Sequence, residues 1–336
     1  METPTQTALV IAAQEGDSQA FASLVGPYRR ELLVHCYRML GSFQDAEDLV
    51  QETLLRAWEK RATLVSPASY RAWLYRIATN LCLNMLTRVP KRFLPTDTQP
   101  QGDPRDPAAQ RQREPIWLEP FPDDLLADQQ TDPEDRALKR EHLTLAFLVA
   151  LQRLTPVQRA ILLLREVLEW PAAEVAAWLD LSVVAVNSAL QRARHALRKF
   201  HKEDEVELAQ PCQEQDLLER YMVLWEQTDI PGLVALLRED AWFTMPPIPA
   251  WFLGRADIAT AFSLRVFIAD RQWRLLPTRA NGSPACAFYR REVGADAYQL
   301  FGLMVLDVVG EQIASLVMFL ELSSLAPFAF PPTLSV

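Results

Sequence analysis

Hydrophobic positions recur with helical spacing through the first 88 residues. Between Asp17 and Leu40, apolar side chains follow one another at intervals of three and four residues, and Gly41-Ser42 ends this pattern. The segment Asp45 to Trp58 (DAEDLVQETLLRAW) has one apolar face and one acidic face, and Tyr70 to Arg88 repeats the helical spacing. The pattern predicts a helical bundle over residues 1–88.

Residues 89–136 have a different composition. Nine prolines, from Pro90 to Pro133, interrupt a segment that is rich in Asp, Gln and Arg, which is typical of an extended linker. The linker contains one apolar island, Ile116 to Leu126 (IWLEPFPDDLL). We expect this island to dock on another part of the chain.

Helical spacing resumes over residues 137–201. Three dipeptides, Thr155-Pro156, Trp170-Pro171 and Leu181-Ser182, have the residue types that begin helices. A short helix from Ala172 to Leu179, a tight turn and a second helix capped by Ser182 have the spacing of a helix-turn-helix.

The last part of the chain predicts an α+β domain over residues 214–336, after an acidic connector at 202–213. Two helical patterns, Leu217 to Gln227 and Ile230 to Arg238, precede five runs rich in aromatic and branched residues (AWFTM, WRLLPT, ACAFYRRE, YQLFGLMVLDVV and IASLVMFLEL). This order favours helices packed on a curved antiparallel sheet. We expect the apolar tail, residues 325–334, to pack back on the preceding helical regions.

Composition narrows the function. The chain has 336 residues and a formal net charge of −9, which argues against a protein that coats nucleic acid without specificity. Its four cysteines (Cys36, Cys82, Cys212 and Cys286) lack the spacing of a zinc site, so we expect neither a metal nor another cofactor. Since the sequence has no signal peptide and no membrane-spanning apolar run, we expect a cytoplasmic protein without a membrane partner.

The second helix of the predicted helix-turn-helix is the strongest candidate for DNA binding. It has no acidic residue between Ser182 and Phe200, in a chain that is acidic overall, and it carries Arg192, Arg194 and Arg198. Asn and Gln side chains suit adenine, and Arg suits guanine or phosphate. The alternative is a helical hairpin with a basic, solvated face.

Two earlier helices carry further candidate chemistry. The segment from Tyr70 to Arg88 interleaves aromatic, basic and amide side chains, which suits unstacked bases, although Tyr70 and Trp73 alone are also typical of a core. The acidic face of Asp45 to Trp58 would repel nucleic acid, so it indicates contact with a large, basic protein partner. The alternative is a solvated helix whose early acidic residues suit the helix dipole.

The chain resembles bacterial RNA polymerase sigma factors of the extracytoplasmic-function (ECF) type in four segments taken together. They are DAEDLVQETLLRAW, SYRAWLYRIATNLCLNMLTR, LTPVQRAILLLREV and AAEVAAWLDLSVVAVNSALQRARHALR. The resemblance implies two all-α sigma domains, the region 2 bundle and the region 4 helix-turn-helix. Residues 8–88 would bind the polymerase core at its clamp and open the −10 promoter element, and residues 138–200 would read the −35 element. The linker would occupy the RNA path of the polymerase.

The resemblance also implies the contact residues. The core polymerase contacts would be Asp45, Asp48, Gln51, Glu52 and Leu55. The −10 contacts would be Tyr70, Arg71, Trp73, Arg76, Asn80, Asn84 and Arg88, with Asn80 at a flipped base that the loop Lys60 to Ser69 helps to capture. The −35 contacts would be Ser182, Val186, Asn187, Ser188, Gln191, Arg192 and Arg194.

The extension beyond residue 200 resembles the cone-shaped SnoaL-like domains, and the family likeness implies a regulatory role. Its candidate pocket residues are Trp225, Phe243, Met245, Trp251 and Tyr298. The domain contains no histidine and no evident acid–base pair, so we expect no enzymatic activity. A small ligand and intramolecular contact with the sigma domains are the further expected partners.

Two other functions stay open at this point. A helix-turn-helix transcriptional regulator with a ligand-binding domain would explain residues 170–336, but it gives the acidic helix and the basic-aromatic helix no task. An enzymatic SnoaL-like domain fused to a DNA-binding unit would need turnover of a small hydrophobic substrate.

Overall fold

A computed structural model of the protein describes residues 6–63, 70–106, 110–112, 116–126, 143–198 and 211–336. In the described part of the N-terminal bundle there are five helices, with short 3₁₀ turns at Gly26–Tyr28 and Arg61–Thr63. The helices are α1 (Gln6–Gln14), α2 (Ser18–Val25), α3 (Arg29–Leu40), α4 (Phe43–Glu59) and α5 (Tyr70–Leu86).

Local sequence signals set the ends of these helices. The Asp17 carboxylate accepts hydrogen bonds from two backbone amides at the start of α2, and the Ser42 side chain accepts one from Asp45 at the start of α4. Between α3 and α4, Gly41 adopts a φ of 72°, a left-handed conformation that glycine adopts without strain. The bundle core forms where α3, α4 and α5 pack together.

The described residues of the linker contain little regular structure. They form one short helix, α6 (Pro95–Thr98), a bridge between Phe93 and Trp117, and a 3₁₀ turn at Asp123–Leu125. Arg92 closes the bridged segment, since its guanidinium donates to the Trp117 carbonyl at 3.0 Å and pairs with Glu119 at 3.2 Å. Residues Leu118 and Phe121 of the apolar island are buried.

Over residues 143–198, four helices are described. They are α7 (Leu145–Arg153), α8 (Pro156–Leu162, continued by a π-helical turn at Leu163–Val167), α9 (Ala172–Leu179) and α10 (Val183–Arg198). Thr155 and Gln158 form a reciprocal capping box at the start of α8. The three predicted helix starts are confirmed.

The C-terminal domain packs three helices and a seven-stranded sheet within the described residues. The helices are α11 (Pro211–Glu226), α12 (Ile230–Ala235) and α13 (Arg255–Ala261). The strands are β1 (Leu237–Met245), β2 (Ile248–Leu253), β3 (Arg271–Ala280), β4 (Ser283–Glu292), β5 (Ala297–Val309), β6 (Gln312–Phe319) and β7 (Thr333–Ser335). Four of the five predicted β runs lie wholly in strands, and the fifth extends three residues beyond β6, which ends at Phe319. The second predicted helix ends before Leu237, which begins β1.

The sheet runs in the order β2-β1-β6-β5-β4-β3, and β7 pairs with β5. All pairings are antiparallel except that of β1 with β6, which is parallel. One face of the sheet packs with the helices around Trp225, which is fully buried. The multidomain architecture, with two helical regions and an α+β domain, is confirmed.

The apolar tail covers the other face of the sheet. Phe330 and Leu334 pack on Tyr289 and Tyr298, and the Tyr289 hydroxyl donates to the Pro331 carbonyl at 2.8 Å. The expectation that the tail packs on the helical regions is therefore corrected, because the outer face of the domain's own sheet offers apolar surface and a free strand edge for β7.

The described residues fall into two compact units. Residues of 1–91 and 150–202 form one unit, and residues of 92–149 and 203–336 form the other. The linker therefore belongs with the C-terminal domain, although it precedes the helix-turn-helix in sequence. Within the described ranges, no single helix combines the length and apolar character needed to cross a membrane.

Candidate polymerase and promoter interfaces

Helix α4 presents an acidic face with an apolar centre. Its inward positions, including Ala46, Val50 and Ala57, are buried in the bundle. Asp48 and Gln51 are exposed on the outer side, and Leu55 follows one turn later with 53% of its surface exposed. The exposed leucine therefore lies between carboxylates and amides on the outer side of the helix.

The remaining predicted polymerase contacts are engaged within the bundle. Glu52 pairs with Arg56 at 2.7 Å on the same helix, and Asp45 is half-buried next to the N-cap. Because such surface pairs are weak, Glu52 can exchange its partner when a basic surface approaches. Asp48, Gln51 and Leu55 form the free part of the acidic face.

Helix α5 and the turn after it expose a polar row. Arg76, Asn80, Asn84 and Arg88 are exposed and lie four residues apart, so the three helical positions share one face. The row combines two cations with two amides, which can contact phosphates and base edges together. Residues 64–69 of the predicted base-capture loop lie outside the described residues.

Tyr70 does not belong to this row. Its side chain is 2% exposed and packs near the rings of Tyr28 and Trp73, with centroids 6.1 and 5.8 Å away. Burial raises the pKa of the Tyr70 hydroxyl above its usual range. The assignment of Tyr70 to −10 contact is therefore corrected to a core role, and Trp73 lies half-buried beside it.

Arg71 is occupied by three partners. It forms an ion pair with Glu31 at 2.8 Å, and its guanidinium lies 5.2 Å from the Tyr75 ring and 5.4 Å from the Trp170 ring. The last ring belongs to the segment just before α9, so this cation lies between the bundle and the helix-turn-helix. Arg71 must leave these partners before it can contact DNA.

A buried arginine also joins the two helical regions. The Arg159 side chain of α8 has no exposed surface, and its guanidinium donates to the carbonyls of Leu151 and of Met39 in α3. Burial lowers the pKa of Arg159 to about 10, which leaves it charged at neutral pH. Of its two charge-assisted bonds, the one to Met39 joins the regions, and Nη2 has no hydrogen-bond partner among the described residues.

The helix-turn-helix geometry is confirmed. Helices α9 and α10 meet at a bend of 101°, and the Ser182 hydroxyl accepts a hydrogen bond from the Ala185 amide at 3.1 Å. This hydroxyl oxygen therefore caps the helix. Its free hydrogen can still reach a base or a phosphate.

The outward face of α10 differs from the predicted one at one position. Val186 is fully buried together with Leu190 and Ala193, because it points towards the preceding helices, so its assignment as a base contact is corrected. Asn187, Gln191 and Arg192 are exposed, and Ser188 is half-buried.

Sequence reasoning missed two features of this face. Arg194 pairs with Glu166, which restrains its guanidinium. Val184 is 74% exposed and lies one turn before Asn187, in the row that the predicted list omitted. The sequence does contain a signal for this position. If α10 begins after Ser182 and Val186 is buried, helical spacing places Val184 on the exposed side.

The five candidate pocket residues of the C-terminal domain do not meet in one cavity. Trp225, Phe243 and Met245 belong to the main core, where the Trp225 ring packs 4.7 Å from Phe288. Tyr298 belongs to the cluster under the tail on the other face. Trp251 instead donates its indole hydrogen to the linker carbonyl of Gln99 at 2.9 Å.

That bond is part of a surface of the C-terminal domain that binds the linker, which we call the linker seat. The sequence did not predict its location. The Gly102 amide donates to the Trp251 carbonyl at 2.9 Å, and the Gln112 amide donates to the Pro247 carbonyl at 2.9 Å. Arg265 donates to the carbonyls of Pro104 and Asp106 at 3.1 and 2.6 Å. On the linker side, these hydrogen bonds are made by backbone amides and carbonyls. The seat therefore recognises the backbone conformation of the linker more than its side chains.

The buried Asn281 side chain forms the second half of the seat. Its carboxamide oxygen accepts the Phe121 amide at 3.0 Å, and its nitrogen donates to the Leu143 carbonyl at 3.1 Å. Asp123 accepts the Gly282 amide at 2.8 Å and pairs with Arg279 at 3.4 Å. The apolar island is thus fixed at the β3–β4 turn, as its predicted docking required.

Comparison with known proteins identifies the family. The models for Sigma-70 region 2 and Sigma-70, region 4 match residues 24–91 and 144–197. The ECF RNA polymerase sigma factor SigG of Mycobacterium tuberculosis is 44% identical over 318 residues, which cover 94% of this chain and 85% of that protein. The chain belongs to the ECF RNA polymerase sigma factors. The resemblance seen in the sequence is confirmed.

Further relatives agree with this identification. SigW of Bacillus subtilis is 28% identical over 187 residues, covering 55% of this chain and 91% of that protein. The crystal structure of Mycobacterium tuberculosis SigJ, also an ECF sigma factor, matches with a TM-score of 0.57 at 22% identity and covers 93% of this chain and 99% of that one. This last likeness shows that the fold extends through the C-terminal domain.

Family membership decides the general function. An ECF sigma factor binds RNA polymerase and directs transcription initiation at promoters, so RNA polymerase and promoter DNA are the partners of this chain. The family is not enzymatic, which confirms the prediction that the chain is not an enzyme. A conventional helix-turn-helix regulator is not favoured, because the match includes region 2.

Proposed function

We propose that the C-terminal domain of this sigma factor controls initiation by holding the linker between regions 2 and 4. The observation that carries the proposal is the linker seat, in which Trp251, Arg265 and Asn281 bind linker backbone over residues 99–121. In the family the linker enters the RNA path of the polymerase. A linker held on the C-terminal domain is withheld from that path.

The energetics suit a reversible restraint. A hydrogen bond of this kind contributes about 0.5–1.5 kcal/mol net, and bonds from a charged guanidinium about 1.5–3 kcal/mol. A docked state favoured by about 2–3 kcal/mol leaves roughly 0.6–3% of molecules with a released linker. If RNA polymerase binds only the form with the released linker, its binding shifts the equilibrium from the docked to the released linker.

The contact residues are assigned on exposure and chemistry. We propose that Asp48, Gln51 and Leu55 contact the polymerase clamp, with Glu52 joining after it leaves Arg56. Arg76, Asn80, Asn84 and Arg88 would contact the −10 element, and Asn187, Gln191 and Arg192 the −35 element. The protein would act in the cytoplasm, where RNA polymerase works.

A small ligand is a second candidate input to the C-terminal domain. Three polar atoms in the domain's core, the Tyr221 hydroxyl and the indole nitrogens of Trp225 and Trp273, have no hydrogen-bond partner among the described residues. Leaving such groups dry is costly, and a ligand that carries acceptors would satisfy them. Ligand binding would then shift the linker equilibrium.

The test compares transcription by holoenzymes that carry different versions of the full chain. Arg265→Ala removes the bonds to the linker carbonyls, while Arg220→Ala removes an exposed arginine of the same domain and serves as the control. We expect Arg265→Ala to change the yield of abortive and full-length transcripts severalfold and Arg220→Ala to leave it unchanged. Equal yields for all three proteins would refute the restraint.

A further inference from the structure

The recognition helix exposes an aliphatic side chain that no assigned contact uses. Val184, the second residue of α10, is 74% exposed, the highest value among the large apolar side chains of the described residues. Its neighbour Val183 is 42% exposed. Single exposed apolar residues are common on protein surfaces, so exposure alone assigns Val184 no role.

The position of Val184 on the helix gives the exposure a meaning. Val184, Asn187 and Gln191 are spaced three and four residues apart on the side opposite the buried Val186, Leu190 and Ala193. In a helix-turn-helix, the N-terminal residues of the second helix face the base edges of the major groove. Val184 is therefore the first residue of the outward-facing row, and the next residue in that row is Asn187, whose side chain is a carboxamide.

We propose that Val184 selects a thymine in the −35 duplex through van der Waals contact with the C5-methyl group. This inference rests on the proposed −35 interface. Thymine alone among the four bases presents a methyl group in the major groove, and an aliphatic side chain offers it no competing hydrogen bond. Valine also has few rotamers in a helix, so little entropy is lost on contact.

Asn187 determines which base lies in the base pair next to this thymine. Three residues of helix advance about 4.5 Å, and one base pair advances about 3.4 Å, so Val184 and Asn187 face neighbouring pairs. A carboxamide reads adenine through its N6 and N7 atoms. The −35 element read by this helix thus contains a thymine contact next to an adenine contact.

The electrostatics of α10 permit this close approach. The helix has no carboxylate, and Arg192 and Arg198 are exposed on it. The nearby carboxylate of Glu166 is neutralised by Arg194. Phosphate contacts can therefore hold the helix in the groove while Val184 contributes the base preference.

The experiment removes single methyl groups from the DNA. Holoenzyme made with the full chain first selects its −35 element from a randomised duplex library. Each thymine of the selected element is then replaced, one at a time, by deoxyuridine, and binding is measured by fluorescence anisotropy at fixed salt. We expect one replacement to weaken binding about fourfold, the change that burial of one methyl group gives.

Protein variants show which side chain senses that methyl group. Val184→Ala should bind the thymine and deoxyuridine duplexes equally, whereas Val184→Ile should keep the preference. Val293→Ala, at a valine 63% exposed in the C-terminal domain, is the matched control and should behave as the unaltered protein. The four binding constants form a double-mutant cycle, which cancels any effect of deoxyuridine on DNA shape.

Three results would overturn the inference. The selected element could lack a thymine at which deoxyuridine matters, or Val184→Ala could keep the full sensitivity, and in both cases the −35 interface itself would stand. Failure of the holoenzyme to select any −35 sequence would overturn the interface and the inference together.

Discussion

The guanidinium of Arg159 donates a hydrogen bond to the backbone carbonyl of Met39 and thereby joins region 4 to region 2. The −10 and −35 elements lie roughly 25 base pairs apart, a separation of about 85 Å at 3.4 Å per base pair. Two regions in side-chain contact cannot occupy both elements. We therefore propose that this contact opens when regions 2 and 4 engage the −10 and −35 elements.

Replacing Arg159 should loosen that contact. Arg159→Met keeps the length of the side chain but removes the bond to Met39, and loss of such a charge-assisted bond weakens the contact by about 1.5–3 kcal/mol, roughly tenfold or more. Spin labels at Gln51 and Gln191 should then report a larger population at long distance. Every labelled protein also carries Cys212→Ser, and Cys36, Cys82 and Cys286 are buried.

Arg56→Met, at a half-buried arginine of α4, is the control and should leave the distances unchanged. An unaltered distance distribution for Arg159→Met would mean that other contacts hold the regions together. Thermal unfolding checks that region 4 stays folded without the bond from Arg159 to the Leu151 carbonyl.

Charge reversal on α4 should weaken binding to the polymerase core. Asp48 is exposed and offers its carboxylate to a basic partner surface, so Asp48→Lys exchanges attraction for repulsion. We expect the Kd for core enzyme to rise at least tenfold, with most of the change in the association rate at low salt. Glu311→Lys changes the net charge equally on the C-terminal domain and should leave the Kd unaltered.

His35 should make region 2 sensitive to acid. Burial, assisted by the charge of Arg38, lowers its pKa to about 3, and its Nε2 atom lies 2.9 Å from the Thr79 hydroxyl. The unfolded chain takes up this proton near pH 6.5 and the folded chain only near pH 3. The stability is therefore complete above pH 6.5 and falls with pH, by at most about 1.4 kcal/mol per unit, until about pH 3.

The measurement is the pH dependence of amide exchange in α3. His35→Gln should flatten it between pH 6.5 and 4, while His195→Gln, at an exposed histidine, should not. An equal slope for His35→Gln would assign the acid sensitivity to other groups.

Asn281 should control one end of the linker. Its backbone has a φ of 55°, so Asn281→Gly keeps the turn and the bond from its own amide to the Phe121 carbonyl. The substitution removes the side-chain bonds to the Phe121 amide and the Leu143 carbonyl. The freed polar groups cost about 1–3 kcal/mol if they stay buried, which favours release of the linker. Limited proteolysis of the linker should be severalfold faster, and an unchanged rate would show that Arg265 and Trp251 suffice.

The helices and their ends could be predicted from the sequence because their causes are local. The cap at Ser182 and the box at Thr155 act over three residues, and the apolar period of α4 marks its buried side without any tertiary information. Conversely, the roles of Val184 and Val186 depend on the helical phase, in which one residue turns the side chain by about 100°. The prediction chose Val186 as a base contact, but the exposed valine is Val184, two positions earlier.

The linker seat was beyond sequence reasoning for a different reason. Arg265 binds carbonyls about 160 positions earlier, and every residue carries the same carbonyl group, so no residue type marks the acceptor. The Pro-rich composition indicated an extended segment, and the described linker residues form one helix, Pro95–Thr98. It held no signal for the surface that binds the segment.

Hydrogen–deuterium exchange at three linker amides tests the central claim most directly. The amides of Gly102, Gln112 and Phe121 donate to the C-terminal domain in the free protein. They should exchange slowly in the free protein and at least tenfold faster once RNA polymerase core has bound. Protection that is equally strong in the free protein and in the holoenzyme would contradict the account, because the linker would then never leave its seat.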